Sequence, residues 1–146
     1  FMMSYKGYER KDGLAGVLAC IFGVCVAFFP TTPDSDPTSR QKLVGYIHLI
    51  SAALYFLTLA YFSLVLFTKT DKSKVCTRRK LQRNTVYKIC GYSMLLSLCL
   101  IVVFALIPDK AKIEVKKLAP VFWLESVAIF AFGFSWFTKG EAILKD

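Results

Sequence analysis

Four long apolar stretches alternate with polar segments along this 146-residue chain. Residues 13–30, 43–67 and 89–108 contain no Lys, Arg, Asp or Glu, and residues 120–137 contain only Glu125. A helix needs roughly 20 apolar residues to cross a bilayer core about 30 Å thick. We therefore predict an all-α integral membrane bundle, with residues 1–146 forming a single transmembrane helical domain and four spans at 13–32, 43–67, 87–108 and 120–138.

The apolar stretches differ from the helices of a soluble bundle. Such helices are amphipathic, and charged residues recur on their outer faces. Here the stretches are apolar on nearly all sides. The pattern therefore favours helices that are surrounded by lipid or by other membrane helices.

The polar connections between the spans differ in character. Residues 31–42 carry two Pro and two Asp and predict a short turn-rich connection. Residues 68–85 are strongly basic and predict a loop, whereas residues 109–119 predict a partly helical connection. The first residues, 1–5, resemble the end of an apolar segment, so we expect a longer parent protein with as many as six spans.

The positions of Lys and Arg predict the orientation, because these residues accumulate on the cytoplasmic side of membrane spans. Thirteen of the 19 lie in the two terminal segments and in the basic loop with the adjacent Lys88, and six lie in the other two connections. We therefore expect both ends of this chain in the cytoplasm and a bacterial inner-membrane location. The basic loop would also attract anionic lipid headgroups.

Composition narrows the classes of function. A net charge of +9 is typical of nucleic-acid-binding proteins, but those lack long uncharged runs, so we expect no nucleic-acid partner. The five Cys and one His include no CxxC pair and no standard zinc set. P-loop, GxSxG and HExxH signatures are absent from the sequence. We expect no metal and no cofactor; the expected partners are membrane lipids, an upstream segment or another membrane subunit.

Two stripes follow helical spacing. In the first span, small residues recur every four positions and predict a helix-packing face; they are Ala15, Ala19, Gly23 and Ala27. In the second span, polar residues recur at spacings of three and four and predict a face towards the bundle interior; they are His48, Ser51, Tyr55 and Thr58. That polar face serves either interhelical hydrogen bonding or a polar cavity or proton path.

Glu125 is the one charged residue inside a span. A charge at the bilayer centre costs roughly 2.5–3.5 kcal/mol on insertion scales and marks a functional hypothesis. Glu125 lies about 7–8 Å inside Pro120, and His48 lies equally deep from Leu43. We therefore predict one outward-facing polar pocket lined by the stripe of the second span together with Glu125. The alternatives are snorkelling and a purely structural hydrogen bond.

Short motifs are spread along the whole chain: SYKGY at 4–8, FPTTP at 29–33, GYIH at 45–48, CGY at 90–92, and a tail from WLE at 123–125 to SWFTKG at 135–140. Together they resemble a family of small, uncharacterised bacterial polytopic membrane proteins. The resemblance implies further N-terminal helices with a polar outer segment containing Tyr and Asp. More distantly, the layout is similar to the CREST-type membrane hydrolases, whose zinc site uses Ser, Asp and three His. His48 is the only His here, so that site is incomplete in this chain.

Two classes of function follow from the sequence. The first is a non-enzymatic bundle that binds a lipid or small molecule, transports, or supports a partner. The second is a membrane-embedded lipid hydrolase, with His48 as general base, Glu125 orienting it, and the nucleophile or metal ligands supplied by Ser51 or by upstream residues. No catalytic set is complete, so the sequence leaves enzymatic activity open. A proton-coupled transporter would need an acid that water reaches from both sides.

Overall fold

The computed structural model describes residues 10–70 and 77–144, where all regular structure is helical. Five α-helices follow in order: α1 (Arg10–Phe28), α2 (Ser39–Tyr61), α3 (Arg78–Leu106), α4 (Asp109–Lys116) and α5 (Pro120–Lys139). A π-helical segment, Phe62–Leu66, continues α2. The all-α prediction is confirmed for the described residues. The SYKGY motif and Cys76 lie outside them.

Three helices are long and apolar enough to cross a membrane. They are Ser39–Leu66, which joins α2 to the π-helical segment, Arg78–Leu106 and Pro120–Lys139. The apolar part of α1, Asp12–Phe28, is shorter. Three of the four predicted spans therefore have a helix of sufficient length, and the span count of four stays a prediction.

The chain divides into two compact units, and the boundary falls within α2, after Thr58. The first unit holds α1, the connection over residues 29–38 and the first part of α2; we call it the first hairpin. The second unit holds the end of α2, the π-helical segment and the remaining helices. The prediction of a single domain was made for the whole chain and stays a prediction.

In the second unit, α3 packs against α5. The buried residues of α3 recur every three or four positions and mark one face of the helix; they include Tyr87, Cys90, Gly91, Met94 and Ser97. Exposed side chains of α3, such as Ile89 and Leu96, are apolar too. On α5, Phe130 is 78% exposed. Apolar surface of this extent on long helices suits a lipid environment.

The π-helical segment lets two aromatic residues share the core. Phe67 donates its backbone N–H to the carbonyl of Phe62 at 2.8 Å, a bond that spans five residues. In a regular α-helix, residues five apart differ by about 140° around the axis. The wider turn brings both rings to the buried side, where their centroids lie 5.8 Å apart edge to face.

The start of α3 differs from the prediction of a basic loop over residues 68–85. The helix begins at Arg78, and the Thr77 side chain caps it by accepting the backbone N–H of Lys80 at 3.1 Å. Charged residues end an apolar span but do not end a helix, since Lys and Arg are good helix formers. The basic residues therefore extend α3 beyond its apolar part.

The connection over residues 109–119 is partly helical, as predicted, because α4 occupies most of it. Ala119 then adopts a left-handed conformation with φ 46° immediately before α5. Pro120 follows in the first turn of α5, where its missing N–H costs no hydrogen bond.

Candidate functional site

A pocket lies where α1 ends and α2 begins. Its volume is about 390 Å³, within the range of roughly 300–1,000 Å³ typical of small-molecule sites. Most of its lining is apolar and comes from Phe28, Phe29, Pro30, Pro33 and Val44. We call it the hairpin pocket. Phe28 ends α1, Val44 lies in the second turn of α2, and the other three apolar residues belong to the connection.

Three polar residues complete the lining of the hairpin pocket: Thr31, Arg40 and Gln41. None of the eight lining residues carries a carboxylate. Arg40 has only N–H donors to offer, and its charge lies in the first turn of α2, which contains no acidic residue. The polar side of the pocket is therefore positively charged.

A capping box fixes Gln41. The side-chain oxygen of Gln41 accepts the backbone N–H of Thr38 at 2.8 Å and the Thr38 hydroxyl at 3.0 Å. In return, Thr38 Oγ1 accepts the backbone N–H of Gln41 at 3.3 Å. Because its oxygen is engaged in the box, the group that Gln41 has left for a ligand is its amide NH₂, which is a donor.

His48 joins the two helices of the first hairpin. Its Nδ1 lies 2.6 Å from the carbonyl oxygen of Phe29, nineteen residues upstream. A carbonyl only accepts, so Nδ1 carries the proton and donates it. In the neutral ring, Nε2 then keeps its lone pair. The bond holds Phe29, one wall of the hairpin pocket, against α2.

Two glycines allow α2 to approach the chain beside it. Gly45 is buried, and a Cβ added there would lie 2.9 Å from both the Cβ and the backbone nitrogen of Thr32. A Cβ on Gly23 would lie 3.3 Å from the Tyr55 ring. Both contacts are closer than most side chains tolerate. The shape of the hairpin pocket therefore depends on small residues in its supports.

The predicted polar stripe divides among several environments. Ser51 is buried, whereas His48 and Tyr55 are half-buried. Thr58 donates its hydroxyl to the carbonyl of Leu54 at 2.7 Å, within its own helix. This bond satisfies the Thr58 hydroxyl without a partner helix.

Glu125 lies in α5, in the second unit, and is half-buried. The four residues of the polar stripe belong to the first unit. A pocket shared by Glu125 and His48 stays a prediction. The small-residue stripe is placed within α1: Ala15 and Ala19 are buried, Gly23 is half-buried and Ala27 is exposed. Its role in helix packing also stays a prediction.

The hairpin pocket was not predicted from the sequence. Arg40 was counted only among the charges that flank the spans, and Gln41 was not considered. One signal was present. The spacing of Thr38 and Gln41 matches a capping box, which marks a helix start and orders the first turn. No sequence motif indicates that the end of α1 lines the same pocket.

Polar contacts in the second unit also escaped the sequence analysis. The hydroxyls of Ser63, in the π-helical segment, and Ser135, in α5, are hydrogen-bonded and fully buried. Arg83 is buried and donates to Glu141 Oε1 at 2.9 Å. Lys80 donates to the carbonyls of Phe67 and Lys69, at 2.9 and 3.1 Å, where the helical chain ends. These contacts join chain segments and cap carbonyl groups.

A metal site needs several ligand side chains that lie close together. Among residues 10–70 and 77–144, no group of three or more His, Cys, Asp or Glu side chains is placed to hold a metal ion. His48, the ligand that the resemblance to zinc hydrolases would require, binds the Phe29 carbonyl through Nδ1, and this bond leaves the lone pair of Nε2 unused.

Comparisons of the chain with protein-family models, with curated proteins and with solved structures give no match. The resemblance to bacterial polytopic membrane proteins therefore stays a prediction from the sequence motifs.

Proposed function

We propose that this chain is a polytopic membrane protein without catalytic activity, and that it binds a lipid or a similar amphiphile in the hairpin pocket. The observation that carries the binding role is the pocket itself, with an apolar wall from the end of α1, the connection and Val44, and a donor-rich polar side that includes the first turn of α2. An amphiphile has the same two-part character. Support of a partner subunit, in contrast, needs no such pocket.

The membrane part of the proposal rests on helix length and surface. Three helices are long and apolar enough to cross a bilayer. The apolar part of α1, Asp12–Phe28, spans about 25 Å, and the uncharged residues 29–33 that follow it supply the remaining length for a hydrocarbon core of roughly 30 Å, which supports a fourth span. The excess of Lys and Arg in the terminal segments and the basic loop supports cytoplasmic ends in a bacterial inner membrane.

Cysteine labelling tests this topology. The natural Cys76 is kept while the other four Cys are replaced by Ser, and Ser35→Cys and Ser4→Cys are made separately in a Cys-free background. In intact cells, a membrane-impermeant maleimide should label Cys at 35 and should reach Cys at 76 or 4 only after permeabilisation. Labelling at both 4 and 35 in intact cells would show that α1 does not span, leaving three spans.

Native mass spectrometry tests the binding role. The intact chain, purified in mild detergent, should carry bound phospholipid at one-to-one stoichiometry. Val44→Trp fills the apolar side of the pocket and should lower the bound fraction several-fold. Val127→Trp is the matched control, because Val127 is exposed on the apolar surface of α5 and lies outside the pocket. Equal binding by all three proteins would contradict the proposal.

The second candidate function is lipid hydrolysis. One observation favours it: the bond from Nδ1 to the Phe29 carbonyl leaves Nε2 of His48 as a base. Proteoliposomes with labelled phospholipid should then release fatty acid or headgroup, and His48→Asn should abolish the release, because Asn keeps a donor for the Phe29 carbonyl but provides no base. If the natural protein releases no labelled product, or if His48→Asn releases as much as the natural protein, lipid hydrolysis by His48 is contradicted.

A further inference from the structure

The polar side of the hairpin pocket offers hydrogen-bond donors. Arg40 supplies a guanidinium, and Gln41 supplies an amide NH₂ because Thr38 occupies its oxygen. The Thr31 hydroxyl is able to donate as well. A ligand that satisfies these groups must present several acceptors close together, and a phosphate group does so.

Charge favours the same ligand. Arg40 lies in the first turn of α2, where the helix dipole adds partial positive charge. Within the described part of the chain, no ion pair or hydrogen bond neutralises the Arg40 side chain, which is exposed. Asp34 and Asp36 lie in the preceding connection but do not line the pocket. An anion therefore gains from both the guanidinium and the helix terminus.

The apolar side requires a hydrocarbon chain on the same ligand. Phe28 is the last residue of α1, and Val44 lies in the second turn of α2, where the apolar part of that helix begins. A free phosphate ester would leave the apolar lining uncovered. A phospholipid covers the apolar lining and meets the donors at once.

We propose that the hairpin pocket binds one phospholipid with an anionic headgroup, with the phosphate on Arg40 and Gln41 and an acyl chain along Phe28 and Val44. This inference rests on the amphiphile binding proposed above and names its ligand class. Zwitterionic lipids also carry a phosphate, but their ammonium group finds no carboxylate among the lining residues. The site therefore selects phosphatidylglycerol over phosphatidylethanolamine or phosphatidylcholine.

The experiment is a lipid competition on the intact protein in mild detergent. Phosphatidylglycerol and phosphatidylcholine with identical acyl chains are titrated, and each complex is counted by native mass spectrometry. The natural protein should prefer phosphatidylglycerol. Arg40→Gln removes the charge-assisted contact and should weaken phosphatidylglycerol binding about tenfold. Phosphatidylcholine should lose less, because its ammonium group offsets the charge of its phosphate.

Lys42→Gln is the matched control. Lys42 carries the same charge two residues away, is exposed and does not line the pocket, so its replacement should change binding less than twofold. Equal losses in the two variants would overturn the proposal, because they would indicate diffuse surface attraction. Circular dichroism of each variant verifies that the helices are intact.

Two further arms separate the remaining outcomes. Glycerol 3-phosphate at the same concentration should not displace the lipid; displacement would show a site for free phosphate esters and overturn the lipid proposal. Val44→Trp should weaken both lipids. If Val44→Trp weakens binding and Arg40→Gln does not, amphiphile binding stands and the anionic selectivity fails. If no lipid binds the natural protein, both proposals fail together.

Discussion

Gly45 lies where the structure leaves no space for a side chain. Adding a single methyl group there, as Gly45→Ala, places a carbon 2.9 Å from the Cβ and backbone nitrogen of Thr32, and closer still to Oγ1. Thr32 has little room to withdraw, since it precedes Pro33 and its backbone is restricted. The substitution should therefore push α2 away from the connection that forms the hairpin pocket.

Two opposing effects set the magnitude. Inserting a methyl group into a tightly packed site costs typically about 1–3 kcal/mol. Replacing Gly by Ala inside a helix recovers up to about 1 kcal/mol of helix propensity. Because one of the crowded atoms is backbone, we expect the upper part of the first range, and a net loss of about 1–2 kcal/mol. For a chain of this length, the apparent melting temperature should fall by about 3–8 °C.

The assay is thermal unfolding of the intact chain in detergent, followed by circular dichroism at one fixed scan rate. Gly13→Ala is the control, because no atom lies within 4 Å of a Cβ added there; its melting temperature should stay equal or rise. Thr32→Gly combined with Gly45→Ala should recover part of the loss, since it removes two of the three crowded atoms. A Gly45→Ala protein that melts at or above the natural temperature would refute the close approach of Thr32 to α2.

Two other contacts give predictions of the same kind. Ser63→Ala and Ser135→Ala should each destabilise the second unit by about 0.5–2 kcal/mol, because each leaves a buried hydroxyl without its partner. The double variant should lose less free energy of unfolding than the sum of the two single variants. Simple additivity in thermal unfolding would contradict the hydrogen bond. Glu141→Gln should lower the free energy of unfolding by about 1 kcal/mol, because it weakens the ion pair with the buried Arg83. Glu114→Gln breaks the exposed pair with Lys117 and should lower it by less than about 0.5 kcal/mol. Equal losses would show that burial of Arg83 is unimportant.

The sequence alone predicted the helical class and the approximate location of the long apolar helices. Uncharged runs such as 43–67 and 89–108 leave few alternatives, because backbone groups in an apolar environment must be hydrogen-bonded within the segment. The turn-rich connection at 31–42 was predicted in the same way from Pro and Asp. Helix ends were predicted less well, as α3 shows, because the charges at Arg78 and Arg79 limit an apolar span without ending the helix.

Only the tertiary structure decided which residues meet. In a helix that is apolar on nearly all sides, hydrophobicity does not mark the face towards a neighbour. The sequence therefore could not place Ser63 beside Ser135 or insert the π-helical segment. Nor could it pair His48 with the Phe29 carbonyl or bring Arg40 to the end of α1. Those contacts depend on how closely two chain segments approach, and the approach is set by steric fit at residues such as Gly45 and Thr32, which exists only after the chain has folded.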